Sequence, residues 1–339
     1  MGMSGSNSGS VCVCVATFKM VTHNEQYSDV ISIENLFQVW SEFKKGKRKR
    51  KDVQIFERNL ENNLFRLHYK LGDKSYNHGK YQAFFIHDPK LRHIHKASVE
   101  DRIVHHLLYK YLYELFDRHF IYDSYSCRLV KGTHRAVDRL EKFTRIVSKN
   151  YTRSCWVLKL DIKKFFASVN HQILKKLLRK RIKDPNILWL LNEIIDSFPI
   201  GMPLGNVTSQ VFANIYMDEL DQFIKHKLKI RYYLRYADDF TILLTCSNDT
   251  NHLIKEMELF LKENLKLELH PKKTILRKLD WGIDFLGYIV LYHYRLPRTR
   301  LRRRILKRVN ISNLASYLGY LSHANSYRLR LSLFGRFLN

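Results

Sequence analysis

Two adjacent carboxylates, Asp238 and Asp239, lie between two apolar runs of this chain, residues 232–234 and 241–244. Each run has the length and composition of a short strand, so the pair is predicted at the tip of a tight hairpin. Two unpaired carboxylates in one turn repel each other, and a divalent cation would neutralise them. Ligands made only of oxygen suit Mg²⁺. The alternative is structural, because aspartate is also a common turn residue.

A third aspartate completes a set of metal ligands. Asp161 follows the apolar run 156–160, which is predicted as a strand. If this strand neighbours the Asp238–Asp239 hairpin in one sheet, three carboxylates meet at one end of that sheet. Two-metal phosphoryl transfer uses such carboxylates, because its metal ions must neutralise the attacking and leaving oxygens. Taken alone, Asp161 is more typical of a strand end or a helix N-cap.

The elements that must position these carboxylates alternate between helices and short antiparallel strands. Residues 76–96 predict a hairpin, while Asn170 and Asp184 are each predicted to cap a helix. Asp52 is expected to cap one helix that ends at Gly72. This mixture indicates the α+β class.

The charge of the chain points to a polyanionic partner. Its 339 residues carry 59 Lys and Arg against 32 Asp and Glu, a formal net charge of +27. Nucleic acid is the simplest partner for such an excess. The positive residues are clustered, notably in residues 44–51 and 298–308, which disfavours the alternative of a generally basic protein. A hydrophobic content of 45% excludes a chain that stays disordered.

The cysteines and the N-terminus indicate a cytoplasmic protein. The five cysteines are odd in number and show no metal-ligand spacing beyond one C-x-C, which favours reduced thiols. The first ten residues lack a basic region, and the apolar run 11–18 is too short to span a bilayer. We therefore expect neither a signal peptide nor a membrane helix.

Five segments in a fixed order carry a resemblance to reverse transcriptases. The segment ending in Phe166 resembles their first palm motif, and Tyr236-Ala237-Asp238-Asp239 resembles their catalytic hairpin. A further palm motif lies between them and two more follow, in the same order and spacing over roughly residues 40–330. The five segments are 158–166, 201–210, 236–239, 270–274 and 285–288. The chain is similar to the group II intron-like reverse transcriptase family.

The resemblance implies a right-hand polymerase fold of fingers, palm and short helical thumb, with an antiparallel palm sheet. By this comparison an N-terminal extension covers residues 1–34 and the fingers cover 35–150. The palm covers 151–295, and a basic helical thumb covers 296–339.

The resemblance also implies roles for the three carboxylates and their neighbours. Asp161, Asp238 and Asp239 would be catalytic and, with the Ile162 carbonyl, would hold two Mg²⁺ ions, for which Mn²⁺ can substitute. Phe166 matches the steric gate that rejects a 2′-hydroxyl and so selects deoxynucleotides. The alternative for Phe166 is plain core packing.

Further residues match positions around the incoming nucleotide. Arg92 matches a fingers residue that contacts the triphosphate, and Lys90 is a weaker match; either is also explained as a solvated hairpin charge. Leu204, Gly205 and Gln210 belong to the middle palm motif.

The middle motif departs from the common pattern of the family, which places Gln-Gly where this chain has Leu204-Gly205 and differs again at Ser209-Gln210. The variant resembles bacterial and phage reverse transcriptases of diversity-generating retroelements, which make frequent errors opposite template adenines. An apolar side chain would remove a polar contact to the nascent pair. The alternative is that Leu204 merely packs.

The same resemblance implies partners: a template RNA, a DNA primer with its cDNA, deoxynucleoside triphosphates and a small basic accessory protein, with no membrane. Basic residues from three segments are predicted to contact nucleic acid, through phosphates and without sequence preference. They are Lys47, Arg48, Lys49, Arg50, Lys272, Lys273, Arg302, Arg303 and Arg304.

Two other functions compete with a diversity-generating polymerase. A retron-like or antiphage-defence reverse transcriptase would keep the chemistry, and a template repeat beside a variable repeat in the neighbouring genes would argue against it. An inactive RNA-binding protein on a polymerase fold would keep only the binding. The three intact aspartates count against that second alternative.

Overall fold

The computed structural model describes residues 26–87 and 91–335. Lys90, a predicted triphosphate contact, lies outside these residues, as do positions 1–25 of the predicted extension. Within the described residues no helix is long and apolar enough to cross a membrane. Cys127, Cys155 and Cys246 are free thiols.

Helices make up about half of the described chain. They are, in chain order, α1 Tyr27–Val30, α2 Ile33–Phe43, α3 Lys51–Glu57, α4 Leu60–Gly72, α5 Val99–Phe116, α6 Thr133–Val147, α7 Phe165–Ser168, α8 His171–Arg179, α9 Pro185–Asp196, α10 Val207–Gln222, α11 Thr250–Phe260, α12 Thr299–Arg308, α13 Ile311–Leu321 and α14 Tyr327–Gly335.

The strands are short and pair in antiparallel fashion. They are β1 Gln82–His87, β2 Leu91–Lys96, β3 Trp156–Asp161, β4 Tyr233–Tyr236, β5 Asp239–Leu244, β6 Ile275–Lys278, β7 Ile283–Phe285, β8 Tyr288–Val290 and β9 Arg295–Pro297. The predicted α+β class and antiparallel sheet are confirmed.

The chain divides into two compact units. The first contains residues 1–120, 164–219 and 263–267, and the second contains 121–163, 220–262 and 268–339, each limited here to its described part. The predicted limits of fingers, palm and thumb stay predictions.

The first unit is mainly helical, and α2, α3, α4 and α5 pack together around aromatic side chains of α2 and α3. Trp40 lies 5.8 Å from Phe43 and 5.1 Å from Phe56, centroid to centroid. The single helix expected from Asp52 to Gly72 is wrong, because α3 and α4 are separate helices. Asp52 does not cap either of them; it forms ion pairs with Lys96 and Arg102.

Two helices of this unit, α8 and α9, begin after the capping residues that the sequence predicted. The side chain of Asn170 accepts a hydrogen bond from the Ile173 amide at the start of α8. The side chain of Asp184 does the same for two amides at the start of α9, where Pro185 occupies the first helical position.

The second unit is built on a four-stranded sheet with the strand order β4-β5-β3-β6. Along β3 and β5, Leu158 pairs with Ile242 and Leu160 pairs with Phe240, and all four side chains are buried. Val157, Lys159 and Asp161 alternate with them and so lie on the opposite face of the sheet.

A helix and a second, smaller sheet complete the packing of the second unit. Helix α6 packs on β4, β5 and β8, and its buried side chains join one core cluster with the larger sheet. Strands β7, β8 and β9 form the smaller sheet, and Tyr288 of β8 stacks on Tyr320 of α13 at 4.7 Å. The basic helices α12–α14 share a core of Ile305, Leu321 and Leu333.

We expect the first unit to lose stability in mild acid. His105 of α5 is fully buried, with Nδ1 2.6 Å from Thr208 Oγ1 and Nε2 3.1 Å from His78 Nε2. Burial, followed by the nearby His78, lowers the pKa of His105 to about 3. Burial, Lys47 and Arg102 lower the pKa of His106 to about 4.

Both imidazoles take up a proton in the unfolded chain near pH 6.5 but stay neutral in the folded state. Their contribution is therefore complete above that pH and is lost as the pH falls towards 4. Urea unfolding should show a free energy of unfolding lower by on the order of 4 kcal/mol at pH 5 than at pH 7.5, about 2 kcal/mol for each imidazole. A double variant His105→Asn/His106→Asn should show a smaller fall, and an equal fall in both proteins would contradict the assignment.

Candidate active site

The three aspartates come together at one end of the β4-β5-β3-β6 sheet. Asp161, the last residue of β3, lies directly opposite Asp239, the first residue of β5. Tyr236 of β4 also pairs with Asp239, which leaves Ala237 and Asp238 as a two-residue turn. All three carboxylates belong to the second unit, so strand register alone brings them to one place.

The turn that carries Asp238 has an unusual backbone. Ala237 has φ of 55°, in the left-handed region that favours glycine. The Ala237 carbonyl accepts a hydrogen bond of 3.0 Å from Arg235 Nη1, and the Asp238 carbonyl accepts one of 3.3 Å from the Ile162 amide. These bonds hold a conformation that alanine rarely adopts, as is common near functional sites.

Arg235 itself is held by an ion pair that the sequence analysis missed. Its guanidinium contacts Asp221 of α10 through Nε at 2.8 Å and Nη2 at 2.6 Å, and both side chains are completely buried. The Tyr233 hydroxyl donates to the same carboxylate at 2.6 Å. The sequence did contain a signal for this pair, namely an arginine inside an apolar strand, because a buried charge requires a partner.

The electrostatics of the site reflect crowded, partly buried carboxylates. Burial, followed by the charge of Asp161, raises the pKa of Asp238 to about 6. Burial and Asp161 also raise the pKa of Asp239, while the Lys159 ammonium opposes the rise. A cation that enters the site would therefore stabilise the ionised form of these carboxylates.

One cation from the chain already lies against these carboxylates. Lys273 Nζ is 2.5 Å from Asp161 Oδ1. The segment that carries Lys273 is tied to the site because the His270 amide donates to the Asp161 carbonyl at 2.8 Å. Lys272 is exposed beside it. An ammonium in this position marks where positive charge is favoured.

The donor set suits a hard divalent cation, since it consists of carboxylates and backbone carbonyls. Within residues 26–87 and 91–335, no three His, Cys, Asp or Glu side chains are already gathered as a metal site. The residues present fit Mg²⁺ because their donor atoms are all oxygens and because the pKa values of Asp238 and Asp239 are raised in its absence. Ile162 lies next to the turn, since its backbone amide donates a hydrogen bond to the Asp238 carbonyl.

In the first unit, Phe166 and the 201–205 segment are in contact. The Phe166 carbonyl accepts a hydrogen bond of 2.6 Å from the Met202 amide. Gly201 has φ of 71°, and a Cβ there would lie 2.3 Å from the same carbonyl oxygen. Phe166 is half-buried and packs edge-on against Phe165, so both the gate and the packing interpretations remain consistent with its position.

The same segment is also joined to the β1–β2 hairpin. The Leu204 carbonyl accepts from the His95 amide at 2.9 Å, and a Cβ on Gly205 would lie 2.9 Å from Ile94 Cγ2. Arg92 is exposed on β2, two residues before Ile94, and Gln210 is half-buried in α10. The first unit therefore brings the Leu204–Gly205 pair next to the strand that carries Arg92.

The predicted nucleic-acid contacts differ in how accessible they are. Arg48, Lys49, Arg50, Arg302 and Arg303 are exposed, whereas Lys47 and Arg304 are half-buried. Lys47 Nζ donates to the Phe43 carbonyl at 2.5 Å and lies over the Phe43 ring. Burial lowers the pKa of Lys47 to about 8, so it is less suited to a phosphate than its neighbours.

Comparison with known proteins gives a family match over most of the chain. Residues 86–290 match the family described as Reverse transcriptase (RNA-dependent DNA polymerase). All three aspartates, the Phe166 segment and the Leu204–Gly205 pair fall inside that match.

Curated relatives are similar at low identity. The Escherichia coli protein YkfC is 27% identical, over 63% of this chain and 65% of its own length. A putative COX1/OXI3 intron 2 protein of Saccharomyces cerevisiae is 24% identical, over 57% of this chain and 30% of its own length. The group II intron-encoded protein LtrA of Lactococcus lactis is 22% identical, over 59% of this chain and 44% of its own length. The chain thus spans between about a third and two thirds of these relatives.

Among solved structures, an apo telomerase from Candida tropicalis, truncated from its C-terminal domain, matches with a TM-score of 0.49 at 14% identity. The match covers 65% of this chain and 54% of that one.

Proposed function

We propose that this chain, which belongs to the reverse transcriptase (RNA-dependent DNA polymerase) family, copies a template RNA into DNA. It has the right-hand polymerase fold of that family. The observation that carries the proposal is the register of β3 and β5, which sets Asp161 opposite Asp239, with Asp238 in the adjoining turn. The three carboxylates favour catalysis over RNA binding alone.

Asp161, Asp238 and Asp239, with the Ile162 carbonyl, would hold the divalent cations on which this chemistry depends. When bound, two Mg²⁺ ions would lower the pKa of the primer 3′-hydroxyl and neutralise charge on the transferred phosphoryl group and the leaving pyrophosphate. Arg235 fixes the backbone of the turn, so the Asp238 carboxylate is positioned before any substrate arrives.

The residues of the first unit would select and place the nucleotide. The Phe166 ring would exclude a 2′-hydroxyl, and Arg92, together with Lys90, would bind the triphosphate. The proposed contacts to template, primer and cDNA use the exposed basic residues Arg48, Lys49, Arg50, Lys272, Arg302 and Arg303. Lys273 is half-buried and pairs with Asp161 instead.

We propose further that the enzyme belongs to the diversity-generating type and errs at template adenines. Support comes from Leu204, which is apolar where the family commonly has glutamine, and whose carbonyl is bound to β2. A structured template RNA and a small basic accessory protein would be its partners. Free cysteines suit a cytoplasmic location.

Primer extension tests both levels of the proposal. The purified protein should extend a DNA primer on an RNA template with deoxynucleotides and Mg²⁺, and a chelator should stop the reaction. Sequencing the product should reveal errors concentrated opposite adenine. Full extension with equal fidelity at all four bases would overturn the diversity-generating assignment but keep the polymerase. No extension with RNA still bound would overturn the polymerase.

A further inference from the structure

The outward face of helix α6 carries a row of basic side chains that none of the functions above uses. Arg135, Lys142 and Arg145 are exposed on the helix, Arg139 is half-exposed, and Lys149 is exposed just beyond its end. We call these five residues the α6 basic row.

Helical periodicity separates the row from the packed side of the helix. Ala136, Val137, Leu140 and Phe143 are buried against the sheet of the second unit. At 3.6 residues per turn, the α6 basic row falls on the opposite side and extends over about 21 Å. The row therefore faces away from the sheet whose end carries the aspartates.

Acidic neighbours do not cancel the charge of the row. Asp138 and Glu141 of the same helix are both engaged by Arg295, at 2.7 Å and 3.5 Å. Arg139 does pair with Asp123, at 2.7 Å, and so contributes less than the others. Arg135, Lys142 and Lys149 form no ion pair with an acidic side chain in the described part of the chain.

Two open grooves lie along the row and share Lys142. One, of about 430 Å³, is lined by Tyr122, Lys131, Arg135 and Arg139 among others. The other, of about 510 Å³, is lined by Lys142, Arg145, Ile146, Lys149 and Asn150. In the first groove Lys131 Nζ lies 3.5 Å over the Tyr122 ring, so this cation is held in place before a ligand binds.

We propose that the α6 basic row binds the phosphate backbone of structured RNA, outside the part of the molecule that holds the three aspartates. The inference rests on the proposed function only in taking RNA as the ligand. Its test is a binding measurement, so it can fail or hold whether or not the protein polymerises.

The composition of the row favours RNA over an acidic protein. Protein interfaces centre on aromatic or apolar anchors and lose charged residues from their core. Along the row the centre is charged, and Val130 and Ile146 line different grooves. The exposed Tyr122 ring beside it is covered by the Lys131 ammonium. Cations repeated at each helical turn suit a polyanion whose charge is also repeated.

The test is a triple reversal of charge, Arg135→Glu/Lys142→Glu/Lys149→Glu. Fluorescence anisotropy with a short hairpin RNA should show affinity lower by about tenfold or more, with a salt slope smaller by about 2–3. The matched control is Lys74→Glu/Lys255→Glu/Lys262→Glu, which makes the same change of charge at exposed sites elsewhere. Its affinity should fall much less, and neither triple variant should change melting temperature or extension of a short primer–template at saturating concentration.

Two results would overturn the proposal. Equal losses in both triple variants would show a general effect of net charge rather than a site. Unchanged RNA affinity in the α6 variant, with binding of polyglutamate lost in that variant alone, would assign the row to an acidic protein instead.

Discussion

Asp238→Asn is expected to lower the rate of DNA synthesis by about a thousandfold or more, while RNA affinity stays unchanged. The substitution keeps the shape of the side chain and removes one of the three carboxylates at this end of the sheet, which are proposed to hold the cations. The backbone of the turn depends on Arg235 and Ile162, so it should survive. Single-turnover primer extension and RNA binding, measured side by side, check the two halves of the expectation.

The same variant should be more stable than the wild type when a chelator is present. Burial and the charges of Asp161 and Asp239 raise the pKa of Asp238 to about 6, so keeping this carboxylate ionised at pH 7.5 destabilises the folded state relative to the unfolded chain. An amide removes that repulsion, and the free energy of unfolding should rise by on the order of 1–2 kcal/mol. Loss of activity caused by misfolding would instead lower it.

Asp249→Asn is the matched control, because it makes the same chemical change at an exposed aspartate of the same unit. It should alter neither activity nor stability. Residual synthesis by Asp238→Asn within tenfold of wild type would remove Asp238 from the catalytic set.

Asp221→Ala is expected to destabilise the second unit by about 3–5 kcal/mol. The substitution leaves the Arg235 guanidinium completely buried without its carboxylate and deprives the Tyr233 hydroxyl of its acceptor. Chemical denaturation followed by circular dichroism measures the effect. Glu219→Ala in the same helix removes an exposed ion pair with Lys180 and should cost less than about 1 kcal/mol.

A double variant separates stability from positioning. Asp221→Leu/Arg235→Met replaces the pair by apolar side chains and should recover much of the lost stability. It lacks the bond from Arg235 Nη1 to the Ala237 carbonyl, so the turn carrying Asp238 loses its support. We expect stability near wild type but synthesis reduced by about tenfold or more. Full activity in a stable double variant would show that Arg235 only packs.

Local signals in the sequence predicted much of the fold. Asn170 and Asp184 are capping residues whose hydrogen bonds reach only two or three residues ahead, so their neighbours in sequence suffice. The β4–β5 hairpin was predictable for the same reason, but its turn is Ala237-Asp238, and Asp239 is the first residue of β5 rather than part of the tip. The convergence of Asp161 with Asp239 needed one further step, the assumption that their strands are neighbours.

Interactions between distant residues account for what was missed. The break between α3 and α4 leaves Asp52 paired with Lys96 and Arg102, which are far along the chain and carry no local signal. The contact of Lys273 with Asp161 also depends on tertiary structure. A turn lysine in sequence reads as a surface charge, and only the fold places it against a carboxylate.

The pairing of β3 with β5 has a consequence for the fraction of folded molecules that is active. In the native register, Leu160 and Phe240 are buried on one face while Asp161 and Asp239 meet on the other. A slip of one residue would exchange the faces, placing the carboxylates among the side chains that pack around Leu160 and displacing Val157 and Leu243 from their buried positions against α6. Correct packing of the hydrophobic core therefore requires the same register that sets Asp161 opposite Asp239. Nearly every molecule that folds should be competent, so an active-site titration should equal the folded fraction.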